Sequence, residues 1–120
     1  FLDTRPYNAH TTSSDALRMG IPVLTCIGKS FPSRVAASIL NSLSLTELIT
    51  ETEEDYESLA IELATNPIKL KSIKDKLIHN LSSAPLFDTP LFARNLESAF
   101  KTMYEKHQNG IKPEHIYVNY

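Results

Sequence analysis

The run Ile21-Pro22-Val23-Leu24-Thr25-Cys26-Ile27 decides the fold. It is apolar and partly β-branched, and it is short enough to be a strand. Polar and apolar residues do not alternate along it. A strand without alternation is covered on both faces, the condition of a strand in the parallel sheet of an α/β domain. Downstream, Gly28 turns the chain out of the strand. Ser33 is then placed to cap a helix in which Val35, Ala36, Ile39, Leu40 and Leu43 form an apolar stripe suited to packing on such a sheet. Upstream, Gly20 closes a short helix over residues 12–19 with Thr12 as its cap, and Phe1-Leu2-Asp3-Thr4 reads as the end of another buried strand entering a loop. Strand, helix, strand, helix is an α/β order.

Beyond Leu43, Glu47-Leu48-Ile49-Thr50 predicts one more brief strand, and Thr52 with Glu53, Glu54 and Asp55 opens a helix by capping and by complementing its dipole. Tyr56, Leu59, Ala60, Leu63 and Ala64 are its expected inward face. Pro67 behind Asn66 starts the next helix, with Leu70, Ile73, Leu77 and Leu81 as the stripe. A loop over 82–88 leads to Thr89-Pro90 and the longest helix, whose expected face is Phe92, Leu96, Ala99, Phe100, Met103 and Tyr104, with Gly110 as its stop. No unit recurs along the chain, which disfavours a solenoid. The expected organisation is a single partial domain: an α/β core over 1–50, helices over 51–110 and a polar tail over 111–120. It reads as the C-terminal portion of a doubly wound α/β domain, helix-rich with a few parallel strands.

Composition narrows the partners. The 120 residues carry 12 Lys and Arg against 14 Asp and Glu, a formal charge of −2 with no basic cluster, so neither nucleic acid nor an anionic membrane is an expected partner. Hydrophobic residues at 42% suffice for a modest core. No stretch approaches the roughly 20 apolar residues of a membrane span. The single cysteine, Cys26, excludes an intrachain disulfide and a thiol-based zinc cluster, and a reducing, cytoplasmic setting is the expectation. The chain starts without a methionine, a basic leader or an apolar leader, and is read as a piece of a longer protein.

Ligands of open α/β sheets lie outside the carboxyl ends of the strands, which points to the loops Asp3 to Thr12 and Gly28 to Ser33. The first is dense in polar groups: Pro6-Tyr7-Asn8-Ala9-His10-Thr11-Thr12-Ser13-Ser14-Asp15. A helix N-terminus offers unpaired N–H groups, and Thr11, Thr12 and Ser13 add hydroxyls, so a pyrophosphate can bind there without lysine. His10 can donate to a phosphate or leaving-group oxygen, and Asp15, one turn in, can accept from a ribose. A structural reading stands beside this one, because Thr12-x-x-Asp15 also matches a helix capping pattern. No histidine pair has metal-ligand spacing, and His79, His107 and His115 read as solvated. Lys29-Ser30 lacks the glycines of a phosphate loop, and neither G-x-S-x-G nor C-x-x-C occurs.

Phe1-Leu2-Asp3-Thr4, Pro6 to Thr12, Ser14-Asp15-Ala16-Leu17 and Gly20 to Thr25 resemble the donor-binding core of the O-GlcNAc transferase and SPINDLY family of glycosyltransferases. Phe31 to Ser38, Glu47-Leu48-Ile49, Asp55-Tyr56, Ser83 to Thr89 and Gly110-x-x-Pro113 resemble successive blocks of the same family in order, so nearly the whole chain is covered. The resemblance implies a GT-B enzyme of two facing Rossmann-like domains, with these residues in the C-terminal half of the second, nucleotide-sugar-binding one. It places His10, Thr11 and Thr12 at the nucleotide diphosphate and Asp15 at the ribose. It implies inverting transfer of GlcNAc from UDP-GlcNAc to Ser or Thr of proteins, with no metal and no cofactor. Three positions depart from the family pattern: Ala9 and Ser44 stand where glycine is usual, and Arg18 where an aromatic residue is frequent. SPINDLY-like relatives use GDP-fucose and bacterial relatives transfer hexose, so the base and sugar stay open.

The expected partners are a nucleotide sugar, a protein acceptor and the upstream half of the same enzyme, with self-association through an uncovered sheet edge. The catalytic base is expected upstream of residue 1, and the isolated 120-residue chain is expected to be inactive. The competing reading is a non-catalytic helical interaction module, or a decayed remnant that binds no ligand.

Overall fold

Thr25 and Cys26 form β1, and Ile49 and Thr50 form β2; the two run parallel, Thr25 opposite Ile49 and Cys26 opposite Thr50. Residues 1–118 are described by the computed structural model, and Asn119 and Tyr120, the end of the expected tail, lie outside the described residues. On the other side of β1, Leu24 makes a parallel bridge to Leu2, so the expected strand end at Phe1-Leu2 joins the sheet as a single bridge. The strand expected over 21–27 is shorter than its apolar run. Ile21 is held by Ala16 at the end of the preceding helix, and Pro22 has no N–H to give a ladder, so only Thr25 and Cys26 have strand partners in β2. Burial follows the expectation in the middle of the run, where Val23, Leu24, Thr25 and Cys26 are buried, but not at its ends, where Ile21 is exposed and Ile27 half-buried.

Among the described residues, five α-helices first alternate with the strands and then follow one another: α1 (Thr11–Arg18) before β1, α2 (Val35–Ser42) between β1 and β2, and α3 (Glu53–Thr65), α4 (Pro67–Leu81) and α5 (Thr89–Gln108) after β2. The chain forms two compact units, Phe1–Leu86 and Phe87–Tyr120. The first holds the sheet and α1 to α4. Its core is Leu17 from α1, Val23 and Leu24 beside the sheet, Ala36, Ala37 and Leu40 from α2, Leu43, Leu45 and Leu48 from the following turn, and Ile73 and Leu77 from α4. The expected stripes of α2 and α4 supply this core through Ala36, Leu40, Ile73 and Leu77, while Val35, Ile39, Leu70 and Leu81 are half-buried and Ala37 joins from outside the stripe. On α3, Tyr56, Leu59, Ala60 and Leu63 are half-buried and Ala64 is exposed, so this helix lies across the surface of its unit.

Caps explain the boundaries. Thr52 accepts from Asp55 N, and Asn66 accepts from Lys69 N with Pro67 in the first turn, both as the sequence predicts. Two expected caps are not formed. Ser33 closes the 3-10 turn Phe31–Ser33 by bonding Ser30, and Arg34 takes the cap position of α2. Thr12 lies inside α1, because Ser14 N bonds His10 O and starts the helix two residues earlier. At the C-terminal ends, α1, α2 and α5 close alike: Gly20, Ser44 and Gly110 have positive φ, and the residue after each donates back into the last turn.

The second unit consists of α5 and the segment after it. Asp88 caps α5 by accepting from Leu91 N, and Thr89-Pro90 open the helix as the sequence predicts. On the expected apolar face, Phe92, Leu96, Phe100, Met103 and Tyr104 are exposed and Ala99 is half-buried.

Candidate functional site

The loop after Leu2 and the loop after β1 leave the sheet at the carboxyl ends of neighbouring parallel segments, and they meet. Asn8 N donates to Pro32 O at 3.0 Å, and the His10 ring lies between Tyr7, at a centroid distance of 4.9 Å, and Phe31, at 6.4 Å. The two loops that the sequence singles out are thus one surface. Tyr7 and Phe31 are exposed rings flanking a half-buried imidazole. Gly28 is needed for the second loop, since a Cβ there would lie 2.4 Å from Ser33 Oγ.

Asp3 fixes the first loop. Its Oδ1 accepts from Thr4 N at 2.9 Å and from Ala9 N at 2.7 Å, closing both ends of the loop on one oxygen, while Oδ2 accepts from Thr25 Oγ1 at 2.7 Å. Within the loop, Thr4 Oγ1 donates to Tyr7 O and Asn8 Nδ2 to Thr4 O. From α3, the Tyr56 hydroxyl donates to Asp3 O at 2.9 Å, and Glu53 pairs with Arg5 at 2.6 Å. Burial raises the Tyr56 phenol above its ordinary value, and the neighbouring Asp3 carboxylate adds to that rise. Glu53 holds the Arg5 guanidinium in its charged form.

The chain leaves this loop directly into α1. His10 occupies the cap position without a side-chain cap bond, so the N–H groups of Thr11, Thr12 and Ser13 in the first turn receive no acceptor from a capping side chain. Thr11 and Thr12 are exposed, and Asp15, four and three residues on, projects from the same side and is exposed as well. The four residues singled out by the sequence are therefore brought to one end and one side of α1. The Thr12-x-x-Asp15 capping pattern does not form, because Thr12 is already helical. Three buried polar atoms of this segment, Asn8 Oδ1, His10 Nε2 and Ser13 Oγ, have no hydrogen-bond partner among the described residues.

Chemically, this end of α1 is a place for an anion with a hydroxylated neighbour: helix N–H groups, two hydroxyls, an imidazole, and a carboxylate one turn away. Sequence reasoning did not pick out Asp3 as the anchor, nor Tyr56, which reaches the loop from 53 residues away. An Asp at a strand end followed by Thr is a local signal for side-chain to backbone bonding, whereas Tyr56, which the sequence places in a family-like block and on the inward face of its helix, carries no local signal of its bond to Asp3. The remaining histidines, His79, His107 and His115, are exposed as expected, and among the described residues no cluster of His, Cys, Asp and Glu is arranged to hold a metal.

Comparison with known proteins places this geometry in a family. The family model described as Glycosyl transferase family 41 matches residues 1–96. A protein of Hordeum vulgare named probable UDP-N-acetylglucosamine--peptide N-acetylglucosaminyltransferase SPINDLY is 35% identical over 112 residues, 93% of this chain and 12% of that protein. The Arabidopsis thaliana protein of the same activity name, SEC, is 36% identical over 118 residues, 98% of this chain and 12% of its own length. Among solved structures, a mutant Thermobaculum terrenum O-GlcNAc transferase matches with a TM-score of 0.80 at 36% identity, over 86% of this chain and 20% of that one. The chain spans 12% of the length of these curated relatives.

Proposed function

The chain belongs to glycosyl transferase family 41, and from that premise we propose that it is the donor-binding part of an inverting protein glycosyltransferase. The observation that carries this reading is the uncapped N-terminus of α1, with Thr11, Thr12 and Asp15 exposed on one side and His10 at the cap position. The names of the relatives indicate the reaction: GlcNAc passes from UDP-GlcNAc to a peptide. The acceptor is a Ser or Thr hydroxyl, as the family resemblance implies.

In this reaction the acceptor oxygen attacks C1 of the sugar from the face opposite the diphosphate. The C1–O bond to the diphosphate breaks, the configuration inverts, and the hydroxyl proton passes to a base outside these residues. UDP leaves with the bonding electron pair. Charge grows on the departing diphosphate, and the groups that meet it are the first-turn N–H donors, the Thr11 and Thr12 hydroxyls and the His10 imidazole. These neutral donors and the helix dipole take the place of a metal ion and need no cofactor. Asp15 accepts from the ribose hydroxyls and sets the register of the nucleotide along the helix. The methyl group of Ala9, next to this site, narrows the space that glycine leaves in other family members.

The reading is tested by following sugar transfer from UDP-GlcNAc to protein with the full-length enzyme. Asp15→Asn raises the donor KM more than it lowers kcat, because ribose contacts are made equally in ground and transition states. Thr11→Val with Thr12→Val lowers kcat by about 10- to 1,000-fold, the range for lost donors to a developing anion. Unchanged kinetics in both variants would refute the assignment. The 120-residue chain alone gives no turnover.

A further inference from the structure

We propose that Asp3 is a positioning residue of the donor site, acting through the Thr4–Ala9 loop on His10, Thr11 and Thr12; this rests on the donor-site reading above. Asp3 is 6% exposed, and every polar group it has is engaged. Its N–H donates to Leu24 O and its carbonyl accepts from Tyr56. Its carboxylate takes both ends of the loop on Oδ1 and the Thr25 hydroxyl on Oδ2. Burying a carboxylate is costly, and here the compensation comes from backbone N–H groups of the one loop that leads into the α1 N-terminus. A hydrophobic residue at this strand end would leave Thr4 N, Ala9 N and the Thr25 hydroxyl without their acceptor. It would not set the distance between Thr4 and Ala9, and Ala9 is adjacent to the cap residue His10.

The geometry gives Asp3 two separable effects. Through Thr25 it ties the loop to β1, and through Ala9 N it fixes where the chain enters α1. Replacement by asparagine keeps an oxygen for Thr4 and Ala9 and an amide that can donate to Thr25 Oγ1, so packing is conserved while the charge on those bonds is lost. Thr25→Val removes the Oδ2 partner alone at nearly constant shape.

The experiment measures UDP and GDP affinity by calorimetry in the full-length protein, for the wild type, Asp3→Asn, Thr25→Val, His10→Ala and the Asp3→Asn/His10→Ala pair. Asp3→Asn weakens nucleotide binding by about ten-fold. Thr25→Val weakens it by a smaller factor, and in the double variant the two losses are less than additive, because Asp3 acts in part through His10. Amide exchange quickens at Thr4 and Ala9 in Asp3→Asn. Full additivity of the two losses would overturn the proposal, since a merely destabilising change acts independently of His10. Wild-type affinity in folded Asp3→Asn and Thr25→Val would overturn it too, and if Asp3→Asn does not fold, unchanged affinity in Thr25→Val alone does so. Failure of the wild type to bind either nucleotide would instead remove the donor-site reading on which the proposal rests.

Discussion

Ser44 holds a backbone conformation that belongs to glycine. Its φ is +55°, and it ends α2 by the same pattern of return bonds with which Gly20 ends α1 and Gly110 ends α5. A side chain in the left-handed region costs about 1–2 kcal/mol, of which the greater unfolded-state freedom of glycine takes back part. Ser44→Gly therefore stabilises the protein by about 0.5–1 kcal/mol, read as a higher denaturant midpoint with an unchanged slope. The departure at Ser44 was legible in the sequence as a missing family glycine, but the reason for that glycine, a positive φ after α2, comes from the backbone. Asp3 shows the converse. Its place at a strand end was legible, while its bonds to Ala9, Thr25 and Tyr56 depend on how the chain returns in space.

Among the elements, α3 has the least buried face of the first unit and yet reaches the candidate site. Tyr56 donates to Asp3 O from its first turn, and the phenol is held neutral by burial first and by the Asp3 carboxylate next, with Arg5 acting in the opposite sense. A group whose folded pKa is raised gives stability that is complete below its unfolded value, here 10.0, and lost as the pH rises through the folded value. Stability of the wild type accordingly falls above about pH 10, and Tyr56→Phe, which has no proton to lose, shows a shallower alkaline decline in the unfolding midpoint. Parallel curves for the two proteins would contradict the role given to this hydroxyl. The existence and order of the five α-helices were readable from apolar spacing and caps such as Thr52 and Asn66, whereas the 3-10 turn Thr46–Leu48, which takes the first half of the strand expected over 47–50, was not. The start of α1 was not, since whether Thr12 is a cap or a helical residue depends on the loop that Asp3 and Pro32 hold. The strand over 21–27 was overextended for a related reason: apolarity records burial, and Val23 is buried without a strand partner.

On the scale of the whole chain, the first unit contains a core centred on α2, with Leu17, Leu40, Leu43, Leu45, Leu48 and Leu77 fully buried. Leu40→Ala removes about 2–5 kcal/mol from that unit. A loss of that size is a large part of the stability of a small domain, so the variant melts far below the wild type in a calorimetric scan. The α/β class and the family were both legible, the first from the unalternated strand and the second from blocks that recur in order along the chain. The exposure of the apolar face of α5 was not, because a helix stripe shows which residues share a face and not whether anything lies against it. The central claim is that His10, Thr11, Thr12 and Asp15 hold the donor nucleotide. The most direct measurement is calorimetric titration of UDP into the full-length protein, beside a His10→Ala/Asp15→Ala double variant shown by circular dichroism to be folded. The account predicts saturable binding that the double variant loses; equal binding by both proteins would contradict it.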